Sequence, residues 1–333
     1  MTQIRLAVII PSTLKQSQLP LLNQSIASLH NQDSGPRVKI FLVSHKAPST
    51  ALKKQFSEVK HVQCTAGCGF GEMNNIVLEK AYQDKSIDWV LLLNDDAYLQ
   101  DDFFAQLSKT LSKPSKDTDL LAPLVLSARD TQRIDNYGVE YFRSGYAKNN
   151  HQLNVKTTLA SAGCLLVRRT FLEKMKQEYG FFFNPLYYYY LEDVDFVIRA
   201  AMIGGRVIRG KQLVAYHYGS SSSGGYKNEF SLFHTYRNTI WVMLCCWPMR
   251  SILRNIPNIL LVQAWVFLVC SVKHGLHVYL KIWVQTVRNW PLLMKYRKQT
   301  CAAYTGFSAH HRLHSLLSRY SFRTYYGKTI PAL

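Results

Sequence analysis

Beyond Glu229 the sequence contains no aspartate and no glutamate. The 104 residues Phe230–Leu333 carry 13 lysines and arginines, whereas the chain up to Glu229 carries 27 against 21 acids. Most of the formal net charge of +19 is therefore an absence of acid in one segment. A polyanionic partner, whether nucleic acid or an anionic membrane face, is expected of the tail and not of the whole chain. Gly-x-y periods, proline-rich tracts, sustained heptads and internal repeats are lacking too, which excludes the fibrous classes. The N-terminal MTQIRLAVIIPS has an apolar run too short for a signal peptide and no small-residue cleavage site; it reads as a buried strand. Cysteines number seven, an odd count at scattered positions, which with the missing signal favours reduced thiols in the cytoplasm.

What is present is enough apolar material for a core: 47% of 333 residues are hydrophobic. Strand-like runs at Leu6–Ile10, Val38–Val43, His61–Cys64 and Asp88–Leu93 alternate with helical spacing over Gln16–Asn31, Leu52–Phe56 and Glu72–Tyr82. This β-α-β-α-β-α-β order predicts a parallel, doubly wound α/β sheet, with ligands at the carboxyl ends of its strands. The informative residues then follow the strands: Pro11 and Ser12, Ser44, the glycine loop through Gly69–Asn75, and Asn94-Asp95-Asp96. Further on, the pattern suggests a helix at Asp102–Leu111, a strand at Leu120–Leu126 and a hairpin within Ile134–Tyr146. A strand over Thr158–Val167, helices at Thr170–Tyr179 and Leu191–Ile203, and short strands at Arg206–Ile208 and Leu213–His217 complete it.

Three clusters carry chemistry. Asn94-Asp95-Asp96 places adjacent carboxylates at a strand end, where they need solvent or a cation; hard oxygen ligands suit Mg²⁺ or Mn²⁺, although a solvated turn fits as well. Glu192-Asp193-Val194-Asp195 opens a helix, as either a dipole-matched cap or a general base for a hydroxyl nucleophile. The aromatic run Phe181–Phe183 and Tyr187–Tyr190 before it offers a wall on which sugars or lipids can stack, since alternate rings must leave the core. His217 ends a strand before the Gly/Ser loop Gly219–Gly225, which could close over a phosphate. Gly205–Gln212 nearly spells a phosphate-binding loop, but Gln212 stands where Ser or Thr is required. His310-His311-x-x-His314 reads as a surface cluster rather than a metal site.

In this order and spacing the clusters resemble the family 2 glycosyltransferases of the GT-A fold, most closely the bacterial rhamnosyltransferase-like branch. The matching stretches are Val8–Pro11, Gly69–Asn75, Leu92–Asp96, Ala162–Arg169, Leu191–Ala200 and His217–Ser221, with Tyr236-Arg237-Asn238 a looser match. The resemblance implies a Rossmann-like, doubly wound mixed sheet and a metal-dependent, inverting hexosyl transfer from a nucleotide-diphosphate sugar. It implies Asp96 and His217 as ligands of Mg²⁺ or Mn²⁺, and Asp193 as the base, positioned with the acceptor by Glu192. The donor is expected against Pro11, Ser12, Ser44, Gly69, Phe70, Asn74, Asn75, Asn94, Asp95, Asp96 and Arg199. The acceptor is expected against Gly163, Tyr189, Tyr190, Glu192 and Asp195. Arg199 is also expected to orient the acidic helix start. Ser44 or His45 stands where the family usually has an aspartate bonding the donor's base.

The tail contains Ile259–Val272, 14 residues free of charge and shorter than the roughly 20 a spanning helix needs. Helices lying in a membrane interface, anchored by Trp241, Trp247, Trp265, Trp283, Trp290 and the basic residues, fit better; a tilted span within 259–284 is the alternative. The chain thus divides into a GT-A domain at 1–235 and a basic, helical, membrane-associating region at 236–333. The expected function is transfer to a lipid-linked or growing surface glycan, in O-antigen, capsule or lipopolysaccharide assembly, on the inner face of the cytoplasmic membrane. A nucleic-acid-binding protein and a non-catalytic nucleotide-sugar scaffold are the competing classes.

Overall fold

The computed structural model describes residues 3–112, 118–157, 159–219, 228–304 and 307–317. Its first half alternates strands β1 (Arg5–Pro11), β2 (Arg37–Ser44), β3 (Lys60–Gln63) and β4 (Trp89–Leu93) with helices α1 (Leu19–His30), α2 (Thr50–Gln55) and α3 (Phe70–Ala81). These strands lie in the order β3-β2-β1-β4, all parallel; Val8 is flanked by Ile40 of β2 and Leu91 of β4. Both faces are covered, so alternate residues of β1 enter different cores. Ala7 and Ile9 face one, and Leu6, Val8 and Ile10 the other, under Leu22, Ile26, Phe103 and Phe104.

The second half makes the sheet mixed. Strands β5 (Ala97–Leu99), β6 (Leu120–Ser127), β7 (Asp130–Asn136), β10 (Cys164–Arg168) and β11 (Val207–His217) join it, while β8 (Val139–Tyr141) and β9 (Ala147–Asn149) form a separate hairpin. β10 runs antiparallel to β4 and β6; β11 is parallel to β6 and antiparallel to β5. Helix α4 (Phe103–Ser112) follows β5, α5 (Arg169–Tyr179) follows β10, and α6 (Glu192–Met202) precedes β11. Purely parallel winding thus stops at β4.

Some boundaries differ from the sequence expectation. The two short strands before His217 are one strand with an irregularity between Gly210 and Val214; the phosphate-loop lookalike lies largely within it and opens no helix. The strand expected over Thr158–Val167 begins at Cys164, because Ser161-Ala162-Gly163 turns toward β4, where Gly163 O accepts the Asn94 amide at 3.0 Å. Thr158 and Ser220–Gly225 lie outside the described residues.

The tail is helical: α7 (Glu229–Cys246), α8 (Met249–Lys273), α9 (Leu276–Arg288), α10 (Trp290–Ala302) and α11 (Phe307–Leu316). The expected boundary at 235/236 falls inside α7, and the tail shares a core with the sheet-bearing half. Trp247 donates to the Tyr141 hydroxyl at 2.9 Å, the Cys246 thiol to Asp195 at 3.1 Å, and Arg312 to the Met202 carbonyl at 2.8 Å. Trp241 and Trp247 are therefore core residues and not interface anchors; Trp283 and Trp290 are exposed. His310 is buried, its Nδ1 2.7 Å from Ser251 Oγ, so that histidine cluster is partly a packing feature. All seven cysteines are free thiols.

Candidate active site

A cavity of about 590 Å³ opens at the carboxyl ends of β1 and β4, between the β8–β9 hairpin and the N-terminus of α6. Pro11 ends β1 with Ser12 just after it, Asn94-Asp95-Asp96 follow β4, and His217 ends β11; all line it. Ser12 Oγ donates to Asp95 at 2.6 Å. Burial still pushes the Asp95 carboxyl up to about 6, against that bond and with Asp96 beside it. Gly163 also lines the cavity. A Cβ there would stand 3.3 Å from Asn94 Nδ2, so glycine lets the asparagine approach.

His217 lies between two carboxylates. Its Nε2 is 3.1 Å from Asp96 and its Nδ1 2.8 Å from Asp135. Burial lowers the ring's pKa, but the bonds to Asp135 and Asp96 outweigh it and raise it to about 10; as a metal ligand the ring would give up its Nε2 proton, with Asp135 keeping the one on Nδ1. Asp135, on β7, lines the cavity and was not picked out by the sequence, because a single acid in a polar strand carries no periodic signature. Its geometry is that of a carboxylate that fixes a metal-ligating histidine through the second ring nitrogen. Asn94, two residues before Asp96, has a buried Oδ1 with no hydrogen-bond partner. Among the described residues no three His, Cys, Asp or Glu form a closed metal cage. An open site of one or two protein ligands is what Mg²⁺-like cations use when substrate phosphates complete the shell. The donor set therefore fits such a cation, with Asp96 and His217 to hold it.

The cavity is also lined by Glu192 and Asp193, the first residues of α6. Tyr190 and Leu191 precede them at φ 70° and 62°, left-handed backbone that side chains disfavour. Asn238 of α7 holds this turn: its Nδ2 donates to the Tyr189 carbonyl at 2.9 Å and to the Tyr190 carbonyl at 2.6 Å. Asp193 accepts from the amides of Ala162 (3.2 Å) and Val194 (2.8 Å). Burial raises its carboxyl, while the Ser161 hydroxyl and those amides oppose the rise. Glu192 Oε2 is buried without a partner, and burial beside Asp193 pushes the group well above the usual carboxylate range, opposed only by its own backbone amide. Both carboxyls are raised by burial, Glu192 well above the usual range and Asp193 against the opposing hydrogen bonds, so Asp193 is the more readily ionised of the two.

The expected aromatic wall divides. Tyr187 is in the core, Tyr188 faces outward, and Tyr189 and Tyr190 line the cavity with Phe70 and Met73. The remaining expected contacts are corrected by their partners, and none of them lines the cavity. Asp195 and Arg199 are fully buried and pair through Nη2 at 2.6 Å and Nε at 2.8 Å. The guanidinium also lies 4.6 Å from the Phe181 ring and donates to the Phe182 carbonyl. The pair ties α6 to its surroundings instead of binding acceptor or donor. Ser44 is occupied by the Lys46 carbonyl (2.6 Å) and His61 (2.8 Å). Asn75 exchanges two bonds with the Phe183 backbone, 2.8 and 2.9 Å. Asn74 donates to the Phe70 carbonyl at 2.9 Å. Gly69 abuts Tyr188, whose carbonyl would lie 2.0 Å from an added Cβ. The glycine loop thus buttresses the tyrosine turn, and only Phe70 and Met73 of it reach the cavity. The hairpin wall with Tyr146, Lys148 and Asn149 also went unread, as did Arg133 and Ser161.

The family model for glycosyl transferase family 2 matches residues 7–176, which is half of the chain. No curated protein matches it. Among solved structures, S. aureus TarS 1-349 in complex with UDP-GlcNAc is similar at 16% identity and TM-score 0.55, over 95% of this chain and 93% of that one. GalNAc-T7 with UDP, GalNAc and Mn²⁺ is similar at 14% identity and TM-score 0.51, over 74% of this chain and 49% of that one. The chain likewise spans about half, 50%, of the longer S. aureus TarS structure. At these identities the likeness is one of fold.

Proposed function

The chain belongs to glycosyl transferase family 2, and from that premise we propose that it moves a hexose from a nucleotide-diphosphate donor to a hydroxyl of a lipid-linked or growing surface glycan. The observation that carries this is one cavity with two groups of acids, one after β4 beside the end of β11 and one at the start of α6. At the strand ends Asp96 and His217, the latter steadied by Asp135, would hold a divalent cation. Such a cation, when bound, neutralises charge on a diphosphate leaving group. At the start of α6 Asp193 takes the proton of the acceptor hydroxyl, whose oxygen then attacks the anomeric carbon opposite the leaving diphosphate. One displacement of this kind inverts the configuration. Glu192, kept neutral by burial, donates a hydrogen bond that orients the acceptor. Tyr189, Tyr190 and Phe70 give the sugar rings faces to pack on.

UDP-GlcNAc in the TarS complex, and UDP with Mn²⁺ in the GalNAc-T7 complex, are in keeping with this donor class. Rhamnosyl transfer, O-antigen, capsule or lipopolysaccharide assembly, and a place on the inner face of the cytoplasmic membrane are finer parts of the same proposal. The tail's outward apolar side chains favour a lipid-borne acceptor over nucleic acid. The test is a panel of nucleotide-sugars assayed for protection against thermal unfolding, with and without Mn²⁺. One donor class should raise the midpoint only with the metal. Equal, metal-independent responses across the panel would contradict the proposal.

A further inference from the structure

Helix α8 is built inside out. Facing the rest of the protein are Ser251, Asn255 and Gln263, all buried, together with Val262, Val266 and Cys270. Facing away are Leu253, Leu260, Leu268 and Val272, which are 59%, 62%, 54% and 82% exposed. Among the described residues, 15 of the 18 exposed large apolar side chains fall between Met249 and Leu292, on α8, α9 and the start of α10. A patch so concentrated is a binding surface, not scatter. No acid lies within it or anywhere beyond Glu229, while Arg254, Lys273, Lys281 and Arg288 are exposed along the same helices. Glu229 reaches the edge of this surface, 3.7 Å from His277; apolar side chains otherwise flanked by cations complement an anionic lipid headgroup layer over hydrocarbon.

The topology settles how such a surface can meet lipid. Ile256–Lys273 is apolar enough to cross a membrane, with mean hydropathy 1.7 over 18 residues, about 27 Å of helix. Yet the helices on both sides of it pack on the catalytic half: α7 against α6, α10 against α5, and α11 against α6. One crossing would put α10 and α11 on the side opposite α7. Helix α9, 13 residues or about 20 Å, is too short to bring the chain back. We infer that the α8–α9 face lies in one leaflet of an anionic bilayer as a monotopic anchor. α9 packs on α7, which holds the Tyr190–Leu191 turn through Asn238, so the anchor is rigidly joined to the catalytic cavity. The inference goes beyond sugar transfer and is tested by binding alone, so either can fail without the other.

The experiment is flotation of the full chain with vesicles of phosphatidylcholine, with or without phosphatidylglycerol. The wild type should float with the phosphatidylglycerol vesicles, with weaker binding in high salt. Exposed Trp283 and Trp290 should then be quenched by lipids brominated on the acyl chain. The triple variant Leu253→Gln, Leu260→Gln and Leu268→Gln removes only exposed contacts; it should keep its fold by circular dichroism and partition on the order of a hundredfold more weakly. Lys273→Gln with Arg288→Gln should lose the preference for phosphatidylglycerol while still binding. Wild-type protein that stays out of both vesicle types would overturn the inference. So would a solution dimer that the triple variant dissolves, which would make the face a self-interface. Trp fluorescence quenched equally from both leaflets would overturn the monotopic placement.

Discussion

Replacing Asn238 by alanine tests whether α7 sets the geometry of the catalytic acids. Its amide donates to the carbonyls of Tyr189 and Tyr190 at 2.9 and 2.6 Å, and the side chain is fully buried. Removing it strands two carbonyls, at about 1–3 kcal/mol each. Opposing this, Tyr190 and Leu191 sit at φ 70° and 62°, strain of about 1–2 kcal/mol per residue that is released if the turn relaxes. The two quantities are close, so the turn should relax and global stability should fall by only about 1–3 kcal/mol. The relaxation is expressed at Glu192 and Asp193, the next residues. Turnover should fall on the order of a hundredfold, since a misplacement of about 1 Å costs that much, while donor affinity changes little. Urea unfolding of the full chain gives the first number; nucleoside-diphosphate release with saturating donor gives the second. An Asn238→Ala protein that loses stability but retains wild-type kcat would refute the reasoning, because the clamp would then be structural only.

Asp135→Ala should leave the fold intact and weaken Mn²⁺ binding by about 10- to 100-fold, read by calorimetry, because His217 loses the acceptor that fixes its ring. Because the Asp193 carboxyl is raised by burial, the base is lost by protonation on the acid side. kcat/KM should therefore rise with pH through a pKa above the ordinary aspartate value and then level off; a rate that falls over that rise would contradict the assignment. Arg199→Leu leaves Asp195 as an uncompensated buried charge and should destabilise by about 3–5 kcal/mol in urea unfolding. Adding Asp195→Leu should restore part of that loss, and a double variant less stable than the single would count against it.

The parallel half of the sheet was readable because its strands are buried on both faces and spell continuous apolar runs, as Trp89–Leu93 does. The antiparallel insertion was harder. β10 is short and follows a turn, and β11 hides an irregularity at Gly210 that splits its pattern in two. At the site, residues immediately following strands or opening a helix were found by position: Ser12, Asp96, Glu192, Asp193 and His217 all meet in the cavity. Position misled for Asp195 and Arg199. They share the motif, but their spacing of four puts them on one helix face, here the face turned into the core. Asp135 and Asn238 reach the site across 82 and 48 residues of sequence, so only the fold could bring them there.

The central claim is that Asp193 is the base of a metal-dependent sugar transfer. Its most direct test is to follow transfer to an acceptor in a single turnover, with the preferred donor and Mn²⁺, for the wild type and Asp193→Asn. The variant should bind donor as the wild type does, by thermal protection, and transfer at least about a hundredfold more slowly, as loss of a general base requires. Unchanged transfer by Asp193→Asn with normal donor binding would contradict it.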